Sequence, residues 1–205
     1  NTMNFKNNLK LNVAIWSFYA DVANRFNCIN HGPKDIRENG YTRMDKLVES
    51  LVNSGHTVKT LDNYTDPSKI DIFITFDSPS SRRFPYAKHI INSNKILKLL
   101  IISECEMIRP GNFSPNIKKI YDHIFTWDDD SIDNLQYIKA NTNFLETRWV
   151  EPTLKNNKFV MIASNKTAWH SNELYSTRVE IIEWFENNSK DDFDLYGAGW
   201  DNFAF

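Results

Sequence analysis

The stretch LKLLII at residues 97–102 is apolar at every position except Lys98. A strand that is apolar along nearly its whole length is typical of a parallel sheet buried on both faces. Further strands are predicted at residues 9–16, 57–61, 70–76 and 123–127. The N-terminal three quarters of the chain therefore contain five predicted strands.

Helical patterns alternate with these strands. The clearest helix begins at Thr42, and Gly55 is placed to end it in the left-handed conformation. Its apolar residues recur at helical spacing: Met44, Leu47, Val48, Leu51 and Val52. Two more helices are predicted at residues 85–91 and 131–139. The alternation predicts an α/β fold in which helices cover both faces of a parallel sheet.

The periodicity fades after residue 141, and Pro152 with the polar residues 155–157 is typical of a linker. We therefore expect an N-terminal domain at residues 1–152 and a second domain that starts at residue 153 and runs to 205. The second domain contains a predicted strand, helix and strand at residues 159–164, 172–188 and 193–196. About fifty residues cannot bury a large core alone, so this domain is expected to be incomplete.

Composition limits the classes of function. The 205-residue chain is 41% hydrophobic and carries a net charge of -2, which predicts neither a nucleic-acid coat nor a membrane-surface role. Cys28 and Cys105 lack the spacing of a disulfide framework or a zinc site. No apolar run approaches the ~20 residues that span a bilayer, and residues 1–10 lack a secretory signal, so a cytoplasmic location is predicted. The richness in Asn, Lys and Ile is typical of an AT-rich bacterial or viral genome.

The first candidate site is SNKT at residues 164–167, between a predicted strand and a predicted helix. A helix N-terminus presents unpaired N–H groups and partial positive charge, which suit a phosphate. Lys166 adds charge, and Asn165 adds hydrogen-bonding groups. The same residue types are also common in ordinary turns, and that alternative stays open.

Arg178 is the second candidate, because none of the residues three or four positions away on its predicted helix is acidic. An arginine beside the apolar stripe of a helix needs an anionic partner from elsewhere, and a diphosphate would supply one. The alternative is a surface arginine whose stem lies over the stripe.

Acidic residues follow two predicted strands. Glu104 and Glu106 come directly after the strand at residues 97–103, where a carboxylate is placed to act as a general base. Residues 128–130, DDD, follow the strand at 123–127. They are similar to the metal-binding Asp-x-Asp of some glycosyltransferases, but three acids there are more typical of a helix cap and a solvated first turn.

Several segments together resemble the α-1,3-fucosyltransferase family. They are FVMIASNKTA at 159–168, NELYSTR at 172–178, FDLYGAGW at 193–200, YDHIFTWDD at 121–129 and IISE at 101–104. The resemblance covers residues 97–200, whereas residues 1–96 share only the general alternation of strands and helices. It implies two Rossmann-like lobes of the GT-B type with the active site in the cleft between them.

The resemblance also implies a reaction. Fucose would pass from GDP-fucose to a glycan hydroxyl with inversion, without a cofactor or a catalytic metal. By position, Glu104 would match the catalytic base, with Glu106 as the alternative base. Arg178 would match the arginine that contacts the donor diphosphate, and Asn165, followed by Lys166, would fall in the donor-side loop.

One part of the family pattern is absent. The family has a later donor motif, a Phe…Glu-Asn segment followed by Thr-Glu-Lys, which this chain lacks before it ends at Phe205. The second lobe is therefore expected to be incomplete.

Two other functions stay open: a transferase of the same architecture that uses another nucleotide sugar, and a non-catalytic module that binds glycans or assembles with an enzyme. A flavodoxin-like regulatory domain with a metal pocket at 128–130 is a weaker alternative.

Overall fold

The computed structural model describes residues 9–17, 42–79, 86–141, 151 and 157–201. The chain divides into two compact units, one within residues 1–146 and the other within residues 147–205. The domain boundary predicted after Pro152 falls within residues 152–156, which lie outside the described residues. Cys28 also lies outside them.

The first unit is built on a six-stranded sheet in which every pair of neighbours is parallel. The strands are β1 Asn12–Ser17, β2 Thr57–Thr60, β3 Ile72–Phe76, β4 Leu97–Ile101, β5 His123–Thr126 and β6 Tyr137–Lys139. The helices are α1 Thr42–Asn53, α2 Ala87–Asn92 and α3 Ile117–Ile120, and short 3-10 turns lie at Leu61–Asn63, Pro67–Lys69, Pro110–Phe113 and Asp129–Ser131. The predicted α/β class with a parallel sheet is confirmed.

The strand order is β2-β1-β3-β4-β5-β6, so the order reverses between β1 and β3. Ser17 at the end of β1 pairs with Phe76 at the end of β3. In open α/β sheets, ligands bind outside the carboxyl ends of the strands at such a reversal. The segment that follows β3 is therefore at the place where this fold class usually holds its ligand.

Both faces of the sheet are buried. On one face, Met44 and Val48 of α1 pack on a cluster that includes Val13 and Ile15 of β1. Ala14, which lies between them in the strand, belongs to the cluster on the opposite face. That cluster also takes Ile90 from α2 and Ile117 from α3, with Phe73, Leu100, Ile102 and Ile124 from the sheet and its strand ends. The continuous apolar runs are thus explained, because successive side chains enter two different cores.

The end of α1 follows the predicted chemistry. Gly55 has a φ of 90°, its N–H donates to the carbonyl of Val52, and the N–H of His56 donates to the carbonyl of Leu51. This pair of bonds is the Schellman arrangement that closes a helix through a left-handed residue.

The helix predicted at residues 131–139 is wrong, because that segment contains a turn and strand β6. One carboxylate oxygen of Asp133 accepts the N–H groups of Leu135, Gln136 and Tyr137 at 2.9, 2.9 and 2.8 Å. Asn134 adopts a left-handed backbone with a φ of 57°. A side chain that takes the N–H groups a helix would use stabilises a turn instead.

The second unit consists of β7 Phe159–Ile162, α4 Tyr175–Asn188, a 3-10 turn at Lys190–Asp192 and β8 Phe193–Tyr196. β7 and β8 are parallel neighbours in a two-stranded sheet. The buried core of this unit is small and comprises Ile182, Phe193 and Trp200. Phe185 of α4 stacks on Phe193 with 4.5 Å between ring centroids, which attaches the helix to one face of the sheet.

Candidate functional site

The first group of site residues lies at the carboxyl ends of β3 and β4. Asp77 directly follows β3, and Glu104 comes three residues after β4. Glu104 is half-buried, whereas Glu106 is exposed in the turn that follows. Of the two carboxylates proposed as a base, Glu104 therefore has the more enclosed position.

Asp77 holds the backbone that carries Glu104. Its Oδ1 accepts the N–H of Ser103 at 2.8 Å and the N–H of Glu104 at 3.0 Å. The Nδ2 of Asn112 donates to the same oxygen at 2.7 Å. Asp77 and Asn112 are each only 1% exposed. A buried carboxylate requires several donors, and three N–H groups converge here on one oxygen.

Asn112 and Arg109 connect this group to the segment after β3. The Oδ1 of Asn112 accepts the N–H of Ser78 at 2.7 Å, and its Nδ2 also lies 3.3 Å from the carbonyl oxygen of Glu104. The Nε of Arg109 donates to the carbonyl of Ser78 at 2.6 Å. The Asn112 side chain thus uses both ends to join the loop after β3 to the loop after β4.

The backbone of Asp77 is left-handed, with a φ of 58°. Asp is among the few residues that adopt this conformation without large strain. The N–H of Asp77 donates to the carbonyl of Ile101 at 2.9 Å, and its own carbonyl accepts the buried hydroxyl of Thr75 at 2.7 Å. Because of this turn, the carboxylate of Asp77 points toward the loop after β4, where it accepts the N–H groups of Ser103 and Glu104.

Tyr121 is a buried tyrosine whose phenol is influenced by Thr75 and by the charge of Arg109. Burial raises the pKa of Tyr121 well above the ordinary value of 10.0, and the interactions with Thr75 and Arg109 offset only part of that rise. The phenol therefore stays protonated at neutral pH.

Sequence reasoning placed Glu104 at this edge but missed Asp77, Asn112 and Thr75. A signal was present for Asp77, because a polar Asp-Ser-Pro segment follows an apolar strand. Asn112 gave no local signal, since its importance depends on a contact 35 positions away in the chain.

The acidic run at residues 128–130 caps a turn, which confirms the alternative favoured from the sequence. Asp128 accepts the N–H of Asp130 and the hydroxyl of Ser131, and Asp129 pairs with Lys139. Among the residues that the structure describes, no group of three or more His, Cys, Asp or Glu side chains is arranged to hold a metal ion.

The second group of site residues lies after β7. The N–H of Asn165 donates to the carbonyl of Ala198 at 2.8 Å, and its Nδ2 donates to the carbonyl of Gly199 at 2.9 Å. The indole of Trp200 donates to the carbonyl of Ala163 at 2.6 Å. Asn165 therefore fastens the loop after β7 to the loop after β8, while Lys166 beside it is exposed.

This junction depends on Gly197, whose φ is 142°. A Cβ at that position would lie 1.9 Å from the carbonyl oxygen of Ala163. The two loops therefore approach more closely than any residue with a side chain would allow.

The helix expected to begin close after residues 164–167 begins farther along the chain. Helix α4 begins at Tyr175, eight residues after Thr167. Its first N–H groups are taken by Glu173, whose carboxylate accepts those of Tyr175 and Ser176 at 2.5 and 3.1 Å. Hydrogen bonds from Ser176 hold the pKa of Glu173 below the ordinary value of 4.5. A carboxylate thus occupies the positive end of the helix.

Arg178 is half-buried on the first turn of α4. Its guanidinium carbon lies 5.1 Å from the centroid of the Tyr175 ring, which is a cation–π distance. Its charge also helps to lower the pKa of Glu173, an acid five positions earlier that precedes the helix. No residue three or four positions away in the helix is acidic, and the carboxylate of Glu173 just outside the helix acts on Arg178 instead.

No family model, no curated protein and no solved structure matches this chain. Every helix in the described ranges is too short or too polar to cross a lipid bilayer. The structure offers two groups of candidate site residues: Glu104 with Asp77 and Asn112 in the first unit, and Asn165, Lys166 and Arg178 in the second.

Proposed function

We propose that the protein transfers fucose from GDP-fucose to a glycan hydroxyl with inversion at the anomeric carbon. The observation that carries the proposal is the placement of Glu104. This half-buried carboxylate follows a strand of a parallel sheet, on a loop whose backbone is held by Asp77. The edge to which it belongs is where sheets of this class bind ligands. The choice of fucose and of GDP rests on the resemblance of residues 97–200.

In the proposed reaction, Glu104 acts as the general base. Its carboxylate removes the proton of the acceptor hydroxyl while the hydroxyl oxygen forms a bond to the anomeric carbon. The bond from that carbon to the diphosphate breaks on the opposite face, and GDP leaves with the electron pair. Inversion follows, because a single displacement exchanges the two faces of the carbon.

The second unit supplies the donor side of the proposal. Arg178 offers a planar guanidinium that suits a diphosphate, and the exposed Lys166 offers a second positive charge. Asn165 is given a supporting role, because its amide is used in the bond to Gly199. Positive charge placed where the leaving group becomes negative lowers the barrier to departure.

The direct test is transfer of labelled fucose by the wild type and by Glu104→Gln. The variant keeps the shape of the side chain and loses the base, so turnover is expected to fall by about 10²-fold or more while donor affinity is kept. Glu106→Gln distinguishes the alternative base, and Glu49→Gln, an exposed acid on α1, is the control for loss of charge. Unchanged turnover in Glu104→Gln removes this residue from the role of base.

Donor binding is tested separately by calorimetric titration of the chain with GDP and GDP-fucose, with UDP as the comparison. Selective GDP binding that is lost in Arg178→Ala supports the donor site. Lys158→Ala is the matched control, because Lys158 is a lysine of the same unit that pairs with Asp194. Preference for UDP over GDP would indicate a transferase that uses another nucleotide sugar. If no nucleotide binds, titration with acceptor glycans follows, and glycan binding alone would indicate a non-catalytic module.

A further inference from the structure

Asp77 is the most buried carboxylate described in the first unit, and its position has no explanation in the packing of the apolar core. It sits at the strand-order reversal, in a left-handed turn after β3, and is 1% exposed. Burying a carboxylate is costly unless several donors surround it. A residue that served only to end the strand would not require a charge there.

The bonds of Asp77 lead to the proposed base. Two of its three donors are consecutive backbone N–H groups, those of Ser103 and Glu104. The third is Asn112, which also approaches the carbonyl of Glu104 at 3.3 Å. Both peptide groups of Glu104 are therefore held by the same pair of side chains, which fixes the Cα from which its carboxylate extends.

We propose that Asp77 is the positioning residue for Glu104, and that Asn112 holds Asp77 in place for this task. The inference rests on the proposed function, because it concerns the same general base. Alignment of a base with its substrate supplies a large part of a catalytic effect, and displacements on the order of 1 Å cost about 10²-fold in rate. Asp77 touches neither substrate nor product, and acts only through the loop.

The geometry also explains why the residue at this position is acidic. A charged acceptor makes shorter and stronger hydrogen bonds than a neutral amide. Asn in place of Asp77 tolerates the same left-handed backbone and keeps one oxygen of the same shape. Asp77→Asn therefore changes the turn little, but it weakens the hydrogen bonds that the side chain accepts from the N–H groups of Ser103 and Glu104.

The first measurement uses the wild-type chain and does not depend on activity. Amide hydrogen exchange at Ser103 and Glu104 is expected to be slow, although both residues lie beyond the end of β4. In Asp77→Asn the exchange of these two amides is expected to quicken, while the amides inside β4 stay protected. Fast exchange at both positions in the wild type overturns the inference, even if no variant folds.

The second measurement is a kinetic comparison of Asp77→Asn with Asp133→Asn. Asp133 is the matched control, because one of its oxygens also accepts three N–H groups, in the turn before β6. We expect kcat of Asp77→Asn to fall roughly 10- to 100-fold with KM for the acceptor nearly unchanged. Asp133→Asn is expected to keep both constants.

The outcomes separate this inference from the proposed function. If Glu104→Gln is inactive and Asp77→Asn retains full kcat, Glu104 stands as the base and the positioning role is overturned. If the wild type transfers no sugar, or Glu104→Gln is as active as the wild type, the proposed function fails and the inference fails with it. If Asp77→Asn and Asp133→Asn lose kcat equally, Asp77 contributes only to stability and the positioning role is overturned.

Discussion

Strands β1 and β7 are both apolar runs, but their surroundings are very different. β1 contains VAIW at residues 13–16, and β7 is FVMI at residues 159–162. In β1, Val13, Ala14 and Ile15 are all 0% exposed. In β7, Val160 is 55% exposed and Ile162 is 80% exposed. The apolar run correctly predicts a strand in both cases. The prediction that both faces are buried is correct for β1 and wrong for β7.

The difference comes from the neighbours of each strand. β1 pairs with β2 on one side and β3 on the other, and apolar clusters lie on both faces of that sheet. β7 pairs with β8, and the described core of its unit lies on the face that α4 covers. Burial is therefore a property of the layers around a strand rather than of its own sequence.

The largest expected effect sharpens this comparison with one substitution in each strand. Ile15→Ala removes a fully buried side chain from β1 and is expected to lower the free energy of unfolding by roughly 2–5 kcal/mol. Ile162→Ala removes an exposed side chain from β7 and is expected to change it by less than about 0.5 kcal/mol. Urea unfolding followed by circular dichroism measures both.

The control for this pair is residue-resolved hydrogen exchange, which assigns each loss of stability to its own unit. A large loss in Ile162→Ala would break the comparison, because it would mean that the outer face of β7 is covered in solution. Equal losses of unfolding free energy in Ile15→Ala and Ile162→Ala would lead to the same conclusion.

An intermediate effect is expected at two glycines with positive φ. Gly197→Ala in the second unit meets both an unfavourable backbone and the carbonyl of Ala163, and is expected to cost about 2–3 kcal/mol. Gly55→Ala in the first unit meets only the unfavourable backbone, because no atom lies within 4 Å of its Cβ position, and is expected to cost about 1 kcal/mol. Thermal unfolding of the two variants measures the difference, and equal costs would contradict the close approach of the two loops.

The fold could be predicted from the sequence where its signals are local. The alternation of apolar runs with helical spacing gave the parallel sheet, and Gly55 gave the end of α1. The helix predicted at 131–139 failed because Asp133 binds three N–H groups of its own segment, a competition that hydrophobic spacing does not reveal. The start of α4 was set three residues too early, since Glu173 caps it at Tyr175.

The candidate site could be predicted only in part. Position after a strand was enough to select Glu104, because strand ends share one edge of a parallel sheet. The contacts of Asp77 with Asn112, and of Asn165 with Gly199, join segments more than thirty positions apart. Spacing within one segment contains no information about such pairs.

The smallest expected effect concerns pH. Asp133 in the first unit is exposed and Glu173 in the second is half-buried. The pKa values of both acids are lowered by hydrogen bonds, chiefly from the N–H of Leu135 and from the Ser176 hydroxyl. The unfolded chain binds a proton at each group more readily than the folded chain does. Each contribution to stability is therefore complete above the ordinary pKa values of 3.8 and 4.5, and is lost as the pH falls through the lowered values.

Asp133→Asn and Glu173→Gln test this effect, each by the melting temperature between pH 7 and pH 3. Both variants are expected to melt slightly below the wild type at pH 7, and the difference is expected to shrink as the pH falls. A difference that stays constant over the whole range would show that the capping charge does not contribute.

The position of β1 inside the sheet, between β2 and β3, affects how the protein folds during its synthesis. This strand is synthesised before its neighbours, yet Val13 pairs with Val58 and with Ile72, which are made much later. Parallel pairing between distant segments is slow, and an uncovered apolar strand is prone to aggregate while it waits. The nascent chain is therefore expected to need the protection of a chaperone until β3 has left the exit tunnel.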